Sequence, residues 1–213
     1  MNITKLGHCC IVIEEGGVKL LTDPGSFTTS QNEVTGLDAV IFTHEHEDHL
    51  HIESLKAVLA NNPTALVIGN SAVAKLVQES IANTSVTVVG DGQSTDMKGV
   101  SIEGFGKEHA EIYGTVGLVE NTGFLIANKF YFPGDNFHVP GKQVDVLALP
   151  VAGPWMKISM AIDFAKKVAP RVAFGVHDGM IKPEFNFGAK MAGRLLGQGI
   201  EYVHLADGES REF

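Results

Sequence analysis

The stretch Thr43-His44-Glu45-His46-Glu47-Asp48-His49 places three histidines and an aspartate directly after the apolar run Ala39-Val40-Ile41-Phe42. A short apolar run rich in β-branched residues reads as a buried strand, and strand ends are where α/β proteins build their sites. In extended backbone alternate side chains share a side, so His44 and His46 project together. A turn beyond them lets Asp48 and His49 serve a neighbouring point. Imidazole and carboxylate are ligands for zinc, iron or manganese, and crowding them is favourable only around a cation. A solvated polar loop is the bland alternative, since His, Glu and Asp are common on surfaces, but it does not account for these offsets behind a buried strand. The zincin pattern H-E-x-x-H also fails, because Asp48 stands where its second histidine would be.

The elements that must position this cluster are legible on either side of it. Residues 2–6, 8–14 and 18–22 read as strands split by Gly7 and by Glu15-Gly16-Gly17, followed by a loop through Asp23-Pro24-Gly25. After the cluster come a helical stretch from Ile52 to Ala60 ending at Asn61-Asn62-Pro63, a strand from Ala65 to Ile68 and a second helix from Ser71, with Val73, Leu76, Val77 and Ile81 on one face. Strands are expected at 86–89, 100–105, 115–120, 123–127 and 129–132. The remainder alternates strand and helix, with a strand from Asp145 to Leu149, a helix near 158–168, a strand from Arg171 to Val176, a helix near 188–196 and a strand at 201–205. Two β-rich halves, each with helices, imply sheets packed face to face with helices outside. With no repeat and no linker, residues 1–213 are expected to form one domain.

Composition narrows the function classes. At 213 residues, 44% hydrophobic and 19% charged, the chain is ordinary for a globular protein with a sizeable core. Its apolar runs stop well short of the ~20 residues that span a bilayer, and no secretory signal is visible, so a cytoplasmic location without membrane association is expected. Adjacent Cys9 and Cys10 cannot form a disulfide framework and read as packing residues. A formal net charge of −9 without a basic run offers nucleic acid no electrostatic footprint.

Residues 44–49 match H-x-H-x-D-H, the hallmark of the metallo-β-lactamase superfamily, at every specified position, and the chain resembles that superfamily further. Leu20-Leu21-Thr22-Asp23-Pro24 is similar to its early aspartate motif, Tyr131-Phe132-Pro133-Gly134-Asp135 to its bridging aspartate, and Val176-His177-Asp178 to its last metal histidine. Leu6-Gly7-His8 followed by a strand, a glycine turn and the Asp23 motif is most similar to the branch that contains ascorbate-6-phosphate lactonase and other metal-dependent hydrolases. The resemblance runs from about residue 5 to about residue 180.

It implies an α/β fold, a metallo-β-lactamase-like four-layer αββα sandwich, holding two divalent ions, zinc first with manganese or iron as alternatives. It places His44, His46 and His109 on one ion, Asp48, His49 and His177 on the other, and Asp135 between them, with Asp23 fixing the metal loop from behind and His8 near the site. Two such ions about 3.5–4 Å apart bridge a hydroxide at neutral pH, and Asp48 is the residue expected to relay a proton. The expected reaction is hydrolysis of a small, anionic ester, lactone or phosphoester. Rival readings are a redox diiron protein, in which some relatives replace the hallmark's second histidine with glutamate, and a non-catalytic metal-binding relative with degenerate ligands. His46 and the complete ligand set speak against both. His51, His138 and His204 have no supporting motif and default to structural or surface roles. Lys107, Trp155 and Lys157 are near enough in sequence to touch substrate, but equally ordinary as surface or packing residues.

Overall fold

The computed structural model describes residues 1–114, 116, 118–197 and 199–213. Its strands are β1 (Asn2–Gly7), β2 (Cys10–Glu15), β3 (Val18–Thr22), β4 (Ala39–Phe42), β5 (Leu66–Gly69), β6 (Val86–Val88), β7 (Ser94–Met97), β8 (Val100–Phe105), β9 (Gly123–Ile126), β10 (Phe130–Phe132), β11 (Val146–Pro150), β12 (Val172–Val176), β13 (Glu201–Val203) and β14 (Ser210–Glu212). The α-helices are α1 (Ile52–Asn61), α2 (Ser71–Ser80), α3 (Ile158–Val168) and α4 (Phe187–Leu195). They form two seven-stranded sheets, ordered β14-β1-β2-β3-β4-β5-β6 and β13-β12-β11-β10-β9-β8-β7. Each sheet is antiparallel on one side and parallel on the other. The change falls at β3, which pairs antiparallel with β2 and parallel with β4, and at β10, antiparallel with β9 and parallel with β11.

Packing follows from the side-chain pattern. Strands such as β4 and β9 to β12 are buried along their whole length because a layer covers each face. Between the sheets lies one apolar core that takes Ile11, Ile13, Leu20 and Ile41 from the first and Phe124, Phe130, Phe132 and Phe174 from the second. Outside the first sheet, Leu55 and Val58 of α1 and Val73 and Val77 of α2 cover Val40, Phe42 and Val67. Outside the second, Ala161, Phe164 and Ala165 of α3 and Ala189 and Ala192 of α4 cover Leu147, Leu149 and Ala173. This is the αββα order expected from the resemblance. Cys9, in the turn before β2, faces the central core and Cys10 the α1/α2 layer, so the neighbouring thiols point to opposite faces of the sheet.

Two helix starts carry asparagine caps. The Asn70 side chain accepts from Val73 N–H for α2 and the Asn186 side chain from Ala189 N–H for α4, both at 3.0 Å. Two strands go beyond the sequence reading: β7 and β14, polar segments at sheet edges, the latter closing the first sheet by pairing antiparallel with β1. Among the described residues, 116 and 118–120 form no regular strand where one was expected at 115–120. Thr115 and Gly117 lie outside the described residues, and around them the chain makes only the isolated bridges Glu108 to Glu120 and Tyr113 to Val116. Among the described residues, no helix is long and apolar enough to cross a membrane.

Candidate metal centre

All seven residues expected to bind metal follow the C-terminal ends of strands: His44 to His49 after β4, His109 after β8, Asp135 after β10 and His177 after β12. Because the two sheets face each other, these ends open on one rim. The loop after β4 folds back on itself as His49 N–H and Leu50 N–H donate to the His46 carbonyl, at 2.9 and 2.7 Å. The Asp23-Pro24-Gly25 loop docks against it: Ser26 N–H donates to the Glu47 carbonyl at 2.9 Å, and at Gly25 a Cβ would collide with the Asp48 backbone. Ahead of Asp135, Gly134 takes φ +64° with Thr43 and Asn121 packed where a side chain would go, a position only glycine fills without strain. Asn121 then accepts from Asp135 N–H at 3.0 Å and donates to the Pro133 carbonyl, fixing the turn that presents the carboxylate.

The side chains gather in two groups. In one, ligand atoms of His44, His46 and His109 lie within 4.8 Å of one another. In the other, the same holds for Asp48, His49, His177 and His8. Asp135 reaches both: Oδ2 stands 3.3 Å from His109 Nε2 and 2.8 Å from His177 Nε2, and Oδ1 stands 3.2 Å from His49 Nε2. Although Asp135 is near enough to His49 and His177 to pair with their charge, His44 Nε2, His49 Nε2, His177 Nε2 and Asp135 Oδ1 are buried atoms that make no hydrogen bond. Buried polar atoms are ordinarily satisfied. Four such orphans among converging imidazole and carboxylate groups fit a metal site.

Tautomers are set from behind. His109 Nδ1–H donates to the Ala110 carbonyl at 2.6 Å, and His49 Nδ1–H donates to Asp23 Oδ2 at 2.7 Å, so each Nε2 is turned toward Asp135. Thr43 Oγ1 donates to Asp23 Oδ2 at 2.6 Å and accepts from His44 Nδ1–H at 3.0 Å, so a single carboxylate orients a histidine in each group. Thr43 N–H completes the Asp23 shell at 2.8 Å. Burial pushes the Asp23 carboxyl upward, but the donors from His49 and Thr43 act against it. The net direction is upward, and the three donors on its two oxygens are what favour the charged form of Asp23.

The electrostatics match a cation site. Burial, followed by the charge of His49, holds His44 well below the usual imidazole range. Burial opposes the charged form of Asp135, yet His49 and His177 keep it well below the usual carboxylate range. Asp48 also overcomes burial, through the His8 hydrogen bond and the nearby His49, and is lowered to about 2. Both acids are therefore anionic at neutral pH.

Several further residues contribute, of which the sequence pointed to His8 and Trp155 but not to Lys5 or to a place for Cys9 at the centre. His8, left open between site and scaffold, belongs to the second group. Its Nδ1 accepts from Gly179 N–H at 3.1 Å, so the neutral ring carries its proton on Nε2 and donates to Asp48 Oδ2 at 3.2 Å. Trp155 Nε1–H donates to Asp135 Oδ2 at 2.9 Å, which makes this tryptophan part of the site wall. Buried Lys5 donates to both oxygens of Asp178, at 2.8 and 3.0 Å, tying the His177 loop to β1. Cys9 lies beneath the centre, its thiol within 4.8 Å of ligand atoms of His49 and Asp135. By contrast, His51 caps α1 by accepting from Ser54 N–H, while His138 and His204 are exposed. Lys107, which is 79% exposed and faces Asp91, and exposed Lys157 both lie away from the cleft.

Above the centre opens a cleft of about 730 Å³. His46, Asp48, His109, Asp135 and His177 form its floor, and Phe27, Ile112, Pro154, Trp155, Met180 and Ile181 stand in its walls.

Paired histidine and carboxylate clusters at one rim of an αββα sandwich define a hydrolase of the metallo-β-lactamase fold. The chain belongs to the beta-lactamase superfamily, whose domain model matches residues 2–177. It is similar to Protein Rv0786c of Mycobacterium tuberculosis, 35% identical over 86% of this chain and 87% of that one. It is also similar to a UPF0173 metal-dependent hydrolase of Carboxydothermus hydrogenoformans, 28% identical over 83% of this chain and 84% of the relative. Among solved structures, Igni18, a metallo hydrolase from Ignicoccus hospitalis, superposes with a TM-score of 0.75 at 20% identity, over 100% of this chain and 98% of that one. The protein is a metal-dependent hydrolase.

Proposed function

We propose that the protein holds two divalent cations, zinc first with manganese or iron as alternatives, and hydrolyses a small ester, lactone or phosphoester in the cytoplasm, without nucleic acid or membrane as partner. The observation that carries this reading is the convergence of buried, unpartnered nitrogens on two points with Asp135 between them. His44, His46 and His109 would hold one ion, and Asp48, His49 and His177 the other. Two ions so held supply an acidified water and a Lewis acid for the oxygen of the scissile group. The chain supplies the rest. Trp155 N–H restrains Asp135, His8 N–H holds Asp48, and Asp48, anionic at neutral pH and at the floor of the cleft, is placed to accept a proton from attacking water and pass it to the leaving group. Lactones belong on the substrate panel because the opening segment resembles the lactonase-containing branch.

Elemental analysis of metal-reconstituted protein should find two ions per chain, and His46→Ala should lose metal and turnover on a panel of chromogenic esters, lactones and phosphoesters while its circular dichroism stays native. Wild-type protein free of stoichiometric metal, or a His46→Ala variant with full metal and full turnover, overturns the proposal. Strong visible absorbance with stoichiometric iron and no hydrolysis would favour the redox reading instead.

A further inference from the structure

The cleft walls contradict the charge expected of the substrate. Phe27 comes from the loop after β3, Ile112 from the segment between β8 and β9, Pro154 and Trp155 from the loop after β11, and Met180 and Ile181 from the loop after β12. Four loops from both sheets thus turn apolar side chains toward one space. Phe27 is 48% exposed and Met180 46% exposed, although each borders a concave surface where burial was available. Large apolar groups left open together around a polar floor mark a ligand site. No lysine or arginine lines the cleft among the described residues, and Glu47 adds an anion at its edge. A phosphate dianion would find no cationic side chain there. A neutral acyl group would find a wall of matching character, in a volume within the range of small-molecule sites.

We propose that the substrate is an uncharged carboxylic ester or lactone whose apolar portion, a medium alkyl chain or aryl group, lies against Phe27, Ile112, Met180 and Ile181 while its carbonyl meets the metal floor. This specificity rests on the hydrolase reading above. In the reaction a water oxygen bonds to the carbonyl carbon and the acyl C–O bond breaks. One water proton ends on the departing alkoxide oxygen, and the products are a carboxylic acid and an alcohol, or for a lactone a single hydroxy acid.

Binding can be read apart from turnover, because Trp155 is the single tryptophan of the chain and stands in the cleft wall. Metal-loaded protein is titrated with acetohydroxamate, hexanohydroxamate and octanohydroxamate, which share a metal-binding head, while tryptophan fluorescence is followed. Affinity should rise about three- to fourfold per methylene that reaches the wall, the equivalent of ~0.8 kcal/mol each. Phe27→Asp and Met180→Lys, at half-exposed positions that tolerate charge without unfolding, should flatten that rise, with melting temperatures confirming the fold. In parallel, p-nitrophenyl octanoate should be a better substrate by kcat/KM than p-nitrophenyl acetate and far better than p-nitrophenyl phosphate. An affinity independent of tail length, or a preference for the phosphate ester, overturns the inference and leaves the hydrolase reading standing. Tail-dependent binding without hydrolysis of any ester or phosphoester supports the apolar site and counts against the hydrolase reading alone.

Discussion

Asp23→Asn tests how one carboxylate sets up both halves of the centre. Thr43 N–H must meet an oxygen, so the asparagine keeps its carbonyl at the Oδ1 position and puts its amide nitrogen where Oδ2 now accepts from Thr43 Oγ1 and from His49 Nδ1. Facing a donor, the Thr43 hydroxyl turns to donate toward His44 Nδ1, and His49 Nδ1 must become an acceptor. In both rings the proton then moves to Nε2, the atom that lies orphaned in the centre. The opposite amide orientation fares no better, because it sets a donor against Thr43 N–H. Loss of such a support typically weakens metal affinity ~10–100-fold, or about 1.4–2.8 kcal/mol. The rearranged cluster keeps its hydrogen bonds but loses their charge assistance, a cost of about 1–3 kcal/mol against a domain stability of order 5–15 kcal/mol, so the variant stays folded. Asparagine is also the right probe because Asp23 sits at φ 35°, a conformation asparagine tolerates and alanine resists. The assay is a zinc titration against a chromogenic chelator, with long-range proton–nitrogen correlation spectra reporting the imidazole tautomers. Unchanged zinc affinity together with unchanged tautomers would refute the relay through Thr43 and reduce Asp23 to a turn residue.

Two further outcomes follow from the same geometry. His8→Asn keeps a residue tolerant of φ 49° and removes the donor to Asp48, so zinc binding at the Asp48/His49/His177 group should weaken by about tenfold while the His44/His46/His109 group is unaffected; stepwise titration showing both unchanged would return His8 to a scaffold role. Cys9 and Cys10 are buried, and burial raises both thiols, so a disulfide reagent should leave the native protein unlabelled and modify both cysteines after denaturation; rapid labelling of folded protein would contradict the packing described.

What could be read in the sequence depended on whether the signal was local. The run Ala39 to Phe42 followed by the hallmark tells its own story, because strand, strand end and ligands are contiguous. His109 sits behind a strand whose alternating burial is itself visible in the sequence, and Asp135 and His177 each end a wholly apolar strand. The edge strands were not legible: Ser-Thr-Asp-Met in β7 and Ser-Arg-Glu in β14 have no apolar alternation, and β14 exists only because β1, at the other end of the chain, offers it a free edge. The motif around His8 placed it near the site but gave no partner for it. Its role arises from Gly179 and Asp48, both remote in sequence. The apolar cleft was hidden for the same reason, since its residues come from four separate loops and none forms a pattern with its own neighbours.

The arrangement also gives a common role to three of the residues with left-handed backbone. Each group of ligands draws on both sheets: His44 and His46 of the first with His109 of the second, and Asp48 and His49 of the first with His177 of the second. Ligands anchored on separate sheets meet only if the rims between them are held in register. The residues that perform this joining have left-handed backbone: His8 at φ 49°, Asp23 at 35° and His177 at 60°. Each such residue costs of order 1–3 kcal/mol and persists only where its surroundings over-determine it. Here they do. His177 N–H donates to the His8 carbonyl at 3.1 Å, Asp23 N–H to the Ile41 carbonyl at 2.9 Å, and Lys5 clamps Asp178 beside His177. The strained turns are thus stitched to the strands by the protein's own hydrogen bonds, so the scaffold itself fixes the separation between the two groups of side chains.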